Sequence, residues 1–245
     1  MPVTKRVRVF AGPNGSGKTT IINELRDKFS FGVYVNADDI EKALINNGSL
    51  DLLPYKIKTT TLKLRKFFQL DAFSPAKLAD DSIGQYLSIR KDNIVITDKK
   101  FINSYVAADL AEFIRKALLK VGASFTYETV MSHESKLHLM QKAKQNGYKV
   151  YLYFIATEDP MININRVKIR VAQRGHKVKA KTVKDRYYRS LENLKAAVQL
   201  TDRAYIFDNS GKVSKLIAEI TKGKEVAIVD ENEVPYWFIK YLVGN

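Results

Sequence analysis

An α/β fold with a parallel sheet flanked by helices follows from three observations in the sequence. Short β-rich runs alternate with stretches of helical apolar spacing from about residue 7 to residue 207, the order that builds parallel sheets from repeated β-α units. The first of these runs enters a Gly-rich turn, Gly12-Pro13-Asn14-Gly15-Ser16-Gly17-Lys18-Thr19, that opens straight into a helix. The chain has 245 residues, 45% of them hydrophobic, enough for one large cored domain or one domain carrying an insertion. The expected organisation is a single domain over 1–245 with a mainly helical insertion at about 50–100 and a C-terminal β-hairpin.

Taken in order, Val7, Val9, Phe10 and Ala11 read as a buried strand, and Ile21, Ile22 and Leu25 follow at helical spacing. The turn between them fits G-x-x-x-x-G-K-[ST], the P-loop motif. Its glycines let backbone N–H groups close around a polyphosphate, and the helix N-terminus adds partial positive charge. Lys18 is expected to reach the β- and γ-phosphates and the Thr19 hydroxyl to take one Mg²⁺ position. Residues Gly12 to Thr20 are thus the expected binding segment for ATP and Mg²⁺.

Gly32-Val33-Tyr34-Val35-Asn36 is the second strand and ends in Ala37-Asp38-Asp39. Ligands of open α/β sheets bind outside the carboxyl ends of the strands, so Asp38 and Asp39 stand at the functional edge. One of them is expected to cap the following helix, Ile40 to Ile45, leaving the other free. In the insertion, Leu62, Leu64, Phe67, Phe68 and Leu70 between lysines predict a basic amphipathic helix. Ser74-Pro75 opens a second, containing Leu78, Ile83, Tyr86 and Leu87, and Asn93 to Thr97 read as a short strand. Ser104 begins a helix that stops at Gly122, and Ser124 to Tyr127 form a strand delivering Glu128 and Thr129 to its carboxyl end. A helix around Leu137, Met140 and Ala143 leads to the buried strand Val150–Ala156.

Asp159-Pro160 predicts an N-cap followed by Pro at the first helical position, with the helix running to Arg174 and stopping at Gly175. Arg166, Arg170 and Arg174 fall at i, i+4 and i+8 on one face, and residues 166 to 189 hold ten Lys/Arg against one acid, Asp185. The strand Ala204–Phe207 enters the turn Asp208-Asn209-Ser210-Gly211. Leu216–Ile220 and Val226–Val229, joined through Lys222-Gly223-Lys224, read as the terminal hairpin, and Pro235-Tyr236-Trp237 starts a closing amphipathic segment.

Composition narrows the classes. The chain lacks cysteine, which excludes disulfides and Cys-based metal sites and fits a reducing cytoplasm. The N-terminus runs directly into the first strand and leaves no room for a signal peptide, and no apolar run approaches the roughly 18 residues of a membrane span. A soluble, cytoplasmic protein without membrane partners is expected. The net charge of +15, from 41 Lys+Arg against 26 Asp+Glu, favours anionic ligands without choosing among them.

Phosphoryl transfer to an alcohol needs an anchored nucleotide, a carboxylate to take the hydroxyl proton, and cations to offset charge on the γ-phosphoryl. The loop supplies the first, Asp38 or Asp39 the second, and the Arg166/Arg170/Arg174 face the third. The nearest candidate for a Walker B element, Ile94-Val95-Ile96-Thr97-Asp98, is weak, so a kinase fits better than a motor ATPase. Of the three histidines, His133 and His138 lack ligand-spaced partners and read as surface or helix-end residues. Tyr187 and Tyr188 read as core and rim packing.

The run Ala11–Thr19 followed by Val35-Asn36-Ala37-Asp38-Asp39-Ile40 resembles the zeta-toxin family of P-loop kinases, in its short chromosomal branch. Tyr127–Ser132, Arg174-Gly175-His176-Lys177-Val178, Arg186–Leu191 and Tyr205–Gly211 extend the resemblance over about 5–48 and 103–212. It implies ATP·Mg²⁺ as donor and a sugar hydroxyl of UDP-N-acetylglucosamine as acceptor, with an antitoxin protein as partner. By that resemblance Asp38 is the catalytic base, Lys18 and Thr19 keep their phosphate and metal roles, and Glu128, Thr129 and Ser132 lie on the substrate side with Asp39. Arg170 and Arg174 become the lid arginines, Arg166 and Arg186 further candidates, and Asp208 and Asn209 lie near the adenine. One departure bears on the acceptor: Glu128-Thr129-Val130 stands where zeta toxins carry Glu-Gly-Thr. A small nucleotide sugar or similar anion is the expected acceptor. A nucleic-acid end held by residues 166–189 is the alternative, and a non-catalytic ATP-binding module is a third reading.

Overall fold

The computed structural model describes residues 4–70, 83–173 and 178–244. Its elements in chain order are β1 (Arg6–Ala11), α1 (Lys18–Arg26), β2 (Val33–Val35), α2 (Ala37–Asn47), β3 (Ser49–Asp51), α3 (Thr61–Leu70), α4 (Ile83–Tyr86), β4 (Leu87–Arg90), β5 (Asn93–Ile96) and α5 (Ser104–Val121). There follow β6 (Phe125–Thr129), α6 (Ser135–Gln145), β7 (Lys149–Ala156), α7 (Pro160–Ala172), α8 (Ala180–Glu192), α9 (Leu194–Gln199), β8 (Arg203–Asp208), β9 (Lys215–Thr221), β10 (Glu225–Ile228) and a helical C-terminal stretch from Tyr236 to Val243. The backbone forms two compact units, Met1–Phe31 with Thr126–Asn245, and Gly32–Phe125.

In the first unit the strands run in the order β10-β9-β8-β7-β1-β6. β1 and β8 both pair parallel with β7, while β9 and β10 turn antiparallel at the end of the sheet. The register explains why these segments are strands. Val9, Leu152 and Ala204 lie side by side, as do Ala11, Phe154 and Ile206, and all six are fully buried on one face. Each large side chain buried this way contributes about 1.5–3 kcal/mol. On the opposite face Phe10, Tyr153 and Tyr205 stack across the three strands, with ring centroids 4.5 and 5.1 Å apart. Burial of Tyr153 and the neighbouring Tyr205 push its phenol up to about 12, so it stays neutral and packs as an apolar ring. The expected terminal hairpin is present, turning at Lys222 and Gly223, both with positive φ.

Asp159 caps α7 as its sequence predicts, accepting from Met161 N at 2.6 Å with Pro160 at the start. The described helix ends at Ala172; Arg174, Gly175 and His176, expected to close it, lie outside the described residues.

In the second unit α2 packs on α5 and buries Ile40 and Leu44, while Asp38 and Asp39 stay exposed. The expected aspartate cap is corrected. Asn36 caps α2, its side chain accepting from Asp38 N at 2.8 Å. Both aspartates instead occupy the first turn, where the helix dipole favours negative charge. α5 is capped by Asn103, which accepts from Tyr105 N and Val106 N at 3.0 Å each, and ends at Gly122.

The insertion contains more sheet than its sequence announces. α3 forms as expected, burying Leu64, Phe67 and Phe68; Ser74, Pro75 and Leu78 of the second expected helix lie outside the described residues. Leu87, expected in that helix, opens β4, and β3-β5-β4 form an antiparallel three-stranded sheet around buried Leu50, Leu87, Ile94 and Ile96. The β4–β5 hairpin turns on Lys91 and Asp92, both with positive φ. A two-residue turn of this kind usually announces itself by Asn-Gly or Asp-Gly, and here that signal is missing.

Candidate functional site

The phosphate loop joins buried β1 to α1. Gly15 (φ 79°) and Gly17 (φ 94°) take left-handed backbone, which costs an L-residue of ordinary shape about 1–2 kcal/mol. Both also lack room for a side chain. A Cβ on Gly15 would stand 2.6 Å from the carbonyl oxygen of Asn163, and one on Gly17 would strike the Asn209 amide nitrogen. Lys18 lies over the loop, its ammonium donating to Gly12 O at 2.8 Å and Pro13 O at 2.9 Å. Thr19 and Thr20 are exposed at the helix start.

The loop fits a polyphosphate on its own geometry. Asn14 Oδ1 and Ser16 Oγ are buried with no hydrogen-bond partner among the described residues, and such orphaned polar atoms cost about 1–3 kcal/mol each. The Ser16 hydroxyl can donate, and with the glycine-lined backbone N–H groups and the Lys18 ammonium it makes a site that an anion with several oxygens would complete. Thr19 is the residue expected from the sequence to take a Mg²⁺ position. Among the described residues no set of three or more His, Asp or Glu side chains is grouped to hold a metal by itself. His133 and His138 are exposed, His133 Nδ1 meeting Ser135 Oγ at 2.9 Å.

The expected site residues fall into distinct positions. Thr129, at the end of β6, meets the loop directly: its carbonyl accepts from Gly12 N at 3.3 Å, and its hydroxyl accepts from Met131 N at 3.0 Å. Met131 takes positive φ (54°), and its carbonyl accepts from Asn193 Nδ2 at 2.9 Å, so the segment Glu128–Ser132 is bent and tied down. Glu128 and Ser132 are half-buried within it. Asn209 also holds the loop, Nδ2 donating to Ser16 O at 2.8 Å. Asp208 is fully engaged inside the protein: Oδ2 accepts from Trp237 Nε1 at 2.8 Å and Ser210 Oγ at 3.0 Å, and Oδ1 from Ser210 N at 2.9 Å. Arg166, one of the three arginines expected on the lid face, is also occupied, donating to Asn209 O at 2.8 Å and Gly211 O at 3.3 Å. Arg170 on α7 is exposed and Arg186 on α8 half-buried.

Asp38 and Asp39 belong to the second unit, at the exposed first turn of α2. Asp39 lies 3.9 Å from the Lys42 ammonium. Burial, then the charges of Asp39 and Asp51, push the Tyr55 phenol up to about 12. The candidate Walker B run is placed off the central sheet: β5 belongs to the three-stranded sheet, and Asp98 caps a short turn by accepting from Lys100 N at 3.1 Å.

Four residues of the site escape sequence reasoning. Asn163 is fully buried on α7 and donates from Nδ2 to Asn14 O at 2.8 Å. Thr157 Oγ1 donates to Asn163 Oδ1, and Tyr187 on α8 donates to Thr157 O at 2.6 Å, a buried phenol raised by burial and by Glu158. Trp237 holds Asp208. The signal for Asn163 was available: an asparagine beside Ile164 and Val167, on the helix stripe that ought to be apolar.

A parallel sheet, a Gly-rich loop at the end of β1 and a helix opening on Lys18 and Thr19 define a P-loop nucleotide-binding fold of the kinase type. The zeta toxin family matches residues 85–220, just over half of the chain, and the chain belongs to that family. The match begins beyond the phosphate loop, so loop and family are independent observations. An uncharacterised protein of Haemophilus influenzae is 36% identical over 69 residues, 28% of this chain and 49% of the relative, so the match spans about half the relative's length. Two solved structures share the fold. The AvrRxo1-ORF1:AvrRxo1-ORF2 complex with sulphate ions has a TM-score of 0.56 and 15% identity, covering 94% of this chain and 62% of that one. The PezAT chromosomal toxin-antitoxin system of Streptococcus pneumoniae has a TM-score of 0.54 and 13% identity, covering 99% and 80%. No described helix is long and apolar enough to cross a membrane.

Proposed function

We propose that this protein is an ATP-dependent kinase that transfers the γ-phosphoryl group of ATP to a hydroxyl of a small anionic acceptor, a UDP-sugar by family resemblance. The observation that carries the reading is the phosphate loop, whose buried, unpartnered Ser16 hydroxyl, left-handed glycines and overlying Lys18 ammonium suit a polyphosphate. Family membership adds the kinase class. In the proposed reaction the acceptor oxygen forms a bond to the γ-phosphorus while the bond to the β,γ-bridging oxygen breaks. The hydroxyl proton passes to the Asp38 carboxylate, and the products are ADP and the phosphorylated acceptor. Lys18 binds the β- and γ-phosphates, and the Thr19 hydroxyl would hold a Mg²⁺ ion, which when bound would supply charge neutralisation. Arg170 and Arg174 are the proposed lid cations; Asp39, Glu128, Thr129, Ser132 and Arg186 line the acceptor side. The cytoplasm is the proposed compartment. An antitoxin protein is the proposed partner, in keeping with the toxin-antitoxin system named for the Streptococcus pneumoniae structure.

The test is transfer of label from γ-labelled ATP·Mg²⁺ to UDP-sugars and, in parallel, to oligonucleotides, with Asp38→Asn and Lys18→Ala alongside. Label on a UDP-sugar that falls about 10²–10⁴-fold in Asp38→Asn, the usual worth of a general base, with ATP still bound, is the expected result. Label confined to oligonucleotide ends would replace the acceptor by nucleic acid and give the ten cations of 166–189 the task of holding it. ATP binding with no labelled product would sink the kinase reading for these acceptors.

A further inference from the structure

Two side-chain amides grip the phosphate loop at alternate peptide groups. Asn163 Nδ2 donates to the carbonyl of Asn14, and Asn209 Nδ2 to the carbonyl of Ser16. In a planar trans peptide the C=O and the following N–H point in opposite directions, and no peptide bond among the described residues is cis. Holding the Asn14 carbonyl at Asn163 therefore aims the Gly15 N–H to the other side, and holding the Ser16 carbonyl at Asn209 aims the Gly17 N–H likewise. Each N–H is thereby turned away from the asparagine that holds its peptide and left to an anion, as backbone N–H groups are in an anion-binding nest. The glycines belong to the same device, because a Cβ on Gly15 or Gly17 would meet the asparagine holding its own peptide.

The amides are themselves held. Thr157 Oγ1 donates to Asn163 Oδ1, which settles the orientation of that amide, and Tyr187 of α8 fixes the Thr157 carbonyl. Arg166 donates to the Asn209 carbonyl. Asn163 and Arg166 stand three residues apart on α7, so one helix controls both grips. Both asparagines are at most 8% exposed, and the Nδ2 of each is committed to a loop carbonyl.

We propose that Asn163 and Asn209 are positioning residues of the phosphate loop: Asn163 aims the Gly15 N–H, Asn209 aims the Gly17 N–H, and α7 sets both. The inference deepens the kinase reading and rests on it only for the identity of the anion.

The test reads the loop without nucleotide and then with it. ¹⁵N order parameters of the Gly15 and Gly17 amides are measured in the ligand-free protein, and the Kd of ATP·Mg²⁺ is titrated well below the melting temperature. Both amides sit near the rigid value of about 0.85 in the parent protein. Asn163→Ala lowers Gly15 far more than Gly17, Asn209→Ala does the reverse, and each raises Kd tenfold or more. Thr157→Val keeps the side-chain volume and repeats the Asn163 pattern in weaker form, which carries the test where Asn163→Ala fails to fold. Thr201→Val is the control, removing a buried hydrogen bond to Val198 O of 2.7 Å; it lowers stability and moves neither glycine nor Kd. Unchanged order parameters, equal loosening of both glycines in all four variants, or ordered loss with unchanged Kd overturns the proposal. Site-specific loosening in a parent protein that binds no ATP keeps the grips and removes the kinase reading instead.

Discussion

Gly17→Ala puts one methyl group where the structure leaves no space, and its cost can be worked from the local geometry. The backbone at Gly17 has φ 94°, and forcing alanine into left-handed conformation costs about 1–2 kcal/mol. The new Cβ would displace the Asn209 amide nitrogen that now donates to Ser16 O. Losing that hydrogen bond and leaving the carbonyl buried without a partner adds about 1–3 kcal/mol. The sum is about 3 kcal/mol, which for a chain of this size lowers Tm by about 6–12 °C. The same displacement swings the Gly17 N–H out of the nest, so the Kd of ATP·Mg²⁺ rises at least tenfold in the fraction that remains folded. Thermal unfolding followed by circular dichroism and a fluorescence titration with an ATP analogue measure the two effects separately. A Tm within about 2 °C of the parent protein together with an unchanged Kd would refute both the strain and the assignment of this loop to phosphate binding.

Two pH-linked predictions follow from carboxylates at opposite ends of the shift scale. Burial raises the Asp202 carboxyl, but the Lys149 ammonium at 2.8 Å and the Val150 N–H at 2.9 Å outweigh it and hold its pKa below the usual value. A depressed folded pKa means stability that is present above the unfolded value of about 3.9 and lost as pH falls through the folded one. Asp202→Asn removes that contribution, so urea unfolding of the variant and the parent should differ at neutral pH and converge in strong acid. A gap that persists unchanged at low pH would contradict the linkage. Glu158 is shifted the other way, by burial and then by the charge of Asp208. Its ionisation opposes folding increasingly as pH rises through the raised pKa, so Glu158→Gln should match the parent below about pH 4 and be more stable at neutral pH. Loss of stability in Glu158→Gln at pH 7 would show that the hydrogen bond from the Tyr236 backbone N–H outweighs burial and the Asp208 charge.

Comparison of particular elements shows what local chemistry can announce. α7 is legible because Asp159 and Pro160 are start signals that act through their own backbone neighbours. The phosphate loop is legible because left-handed turns demand glycine wherever they occur. The β3-β5-β4 sheet is not. Its strands are three or four residues long, and their pairing partners lie up to some 45 positions apart, so no local period identifies them. The hairpin inside it turns on Lys91 and Asp92 rather than on glycine. The Asn36 cap went to the residue whose side chain sits one position before the helix, a difference of one residue that only backbone conformation decides.

The amino-acid sequence by itself determined that this protein has an α/β fold with a phosphate loop at residues 12–19, because composition, spacing and turn chemistry are local. Tertiary structure alone decided which side chains hold that loop. Asn163, Thr157, Tyr187 and Asn209 come from segments roughly 140 to 200 residues beyond it in the chain, and Arg166 is drawn from the expected lid face to the Asn209 carbonyl. A buried amide donates to whichever carbonyl the packing brings within hydrogen-bond reach. That choice is made by the register of β1, β7 and β8, and no single stretch of the sequence contains it.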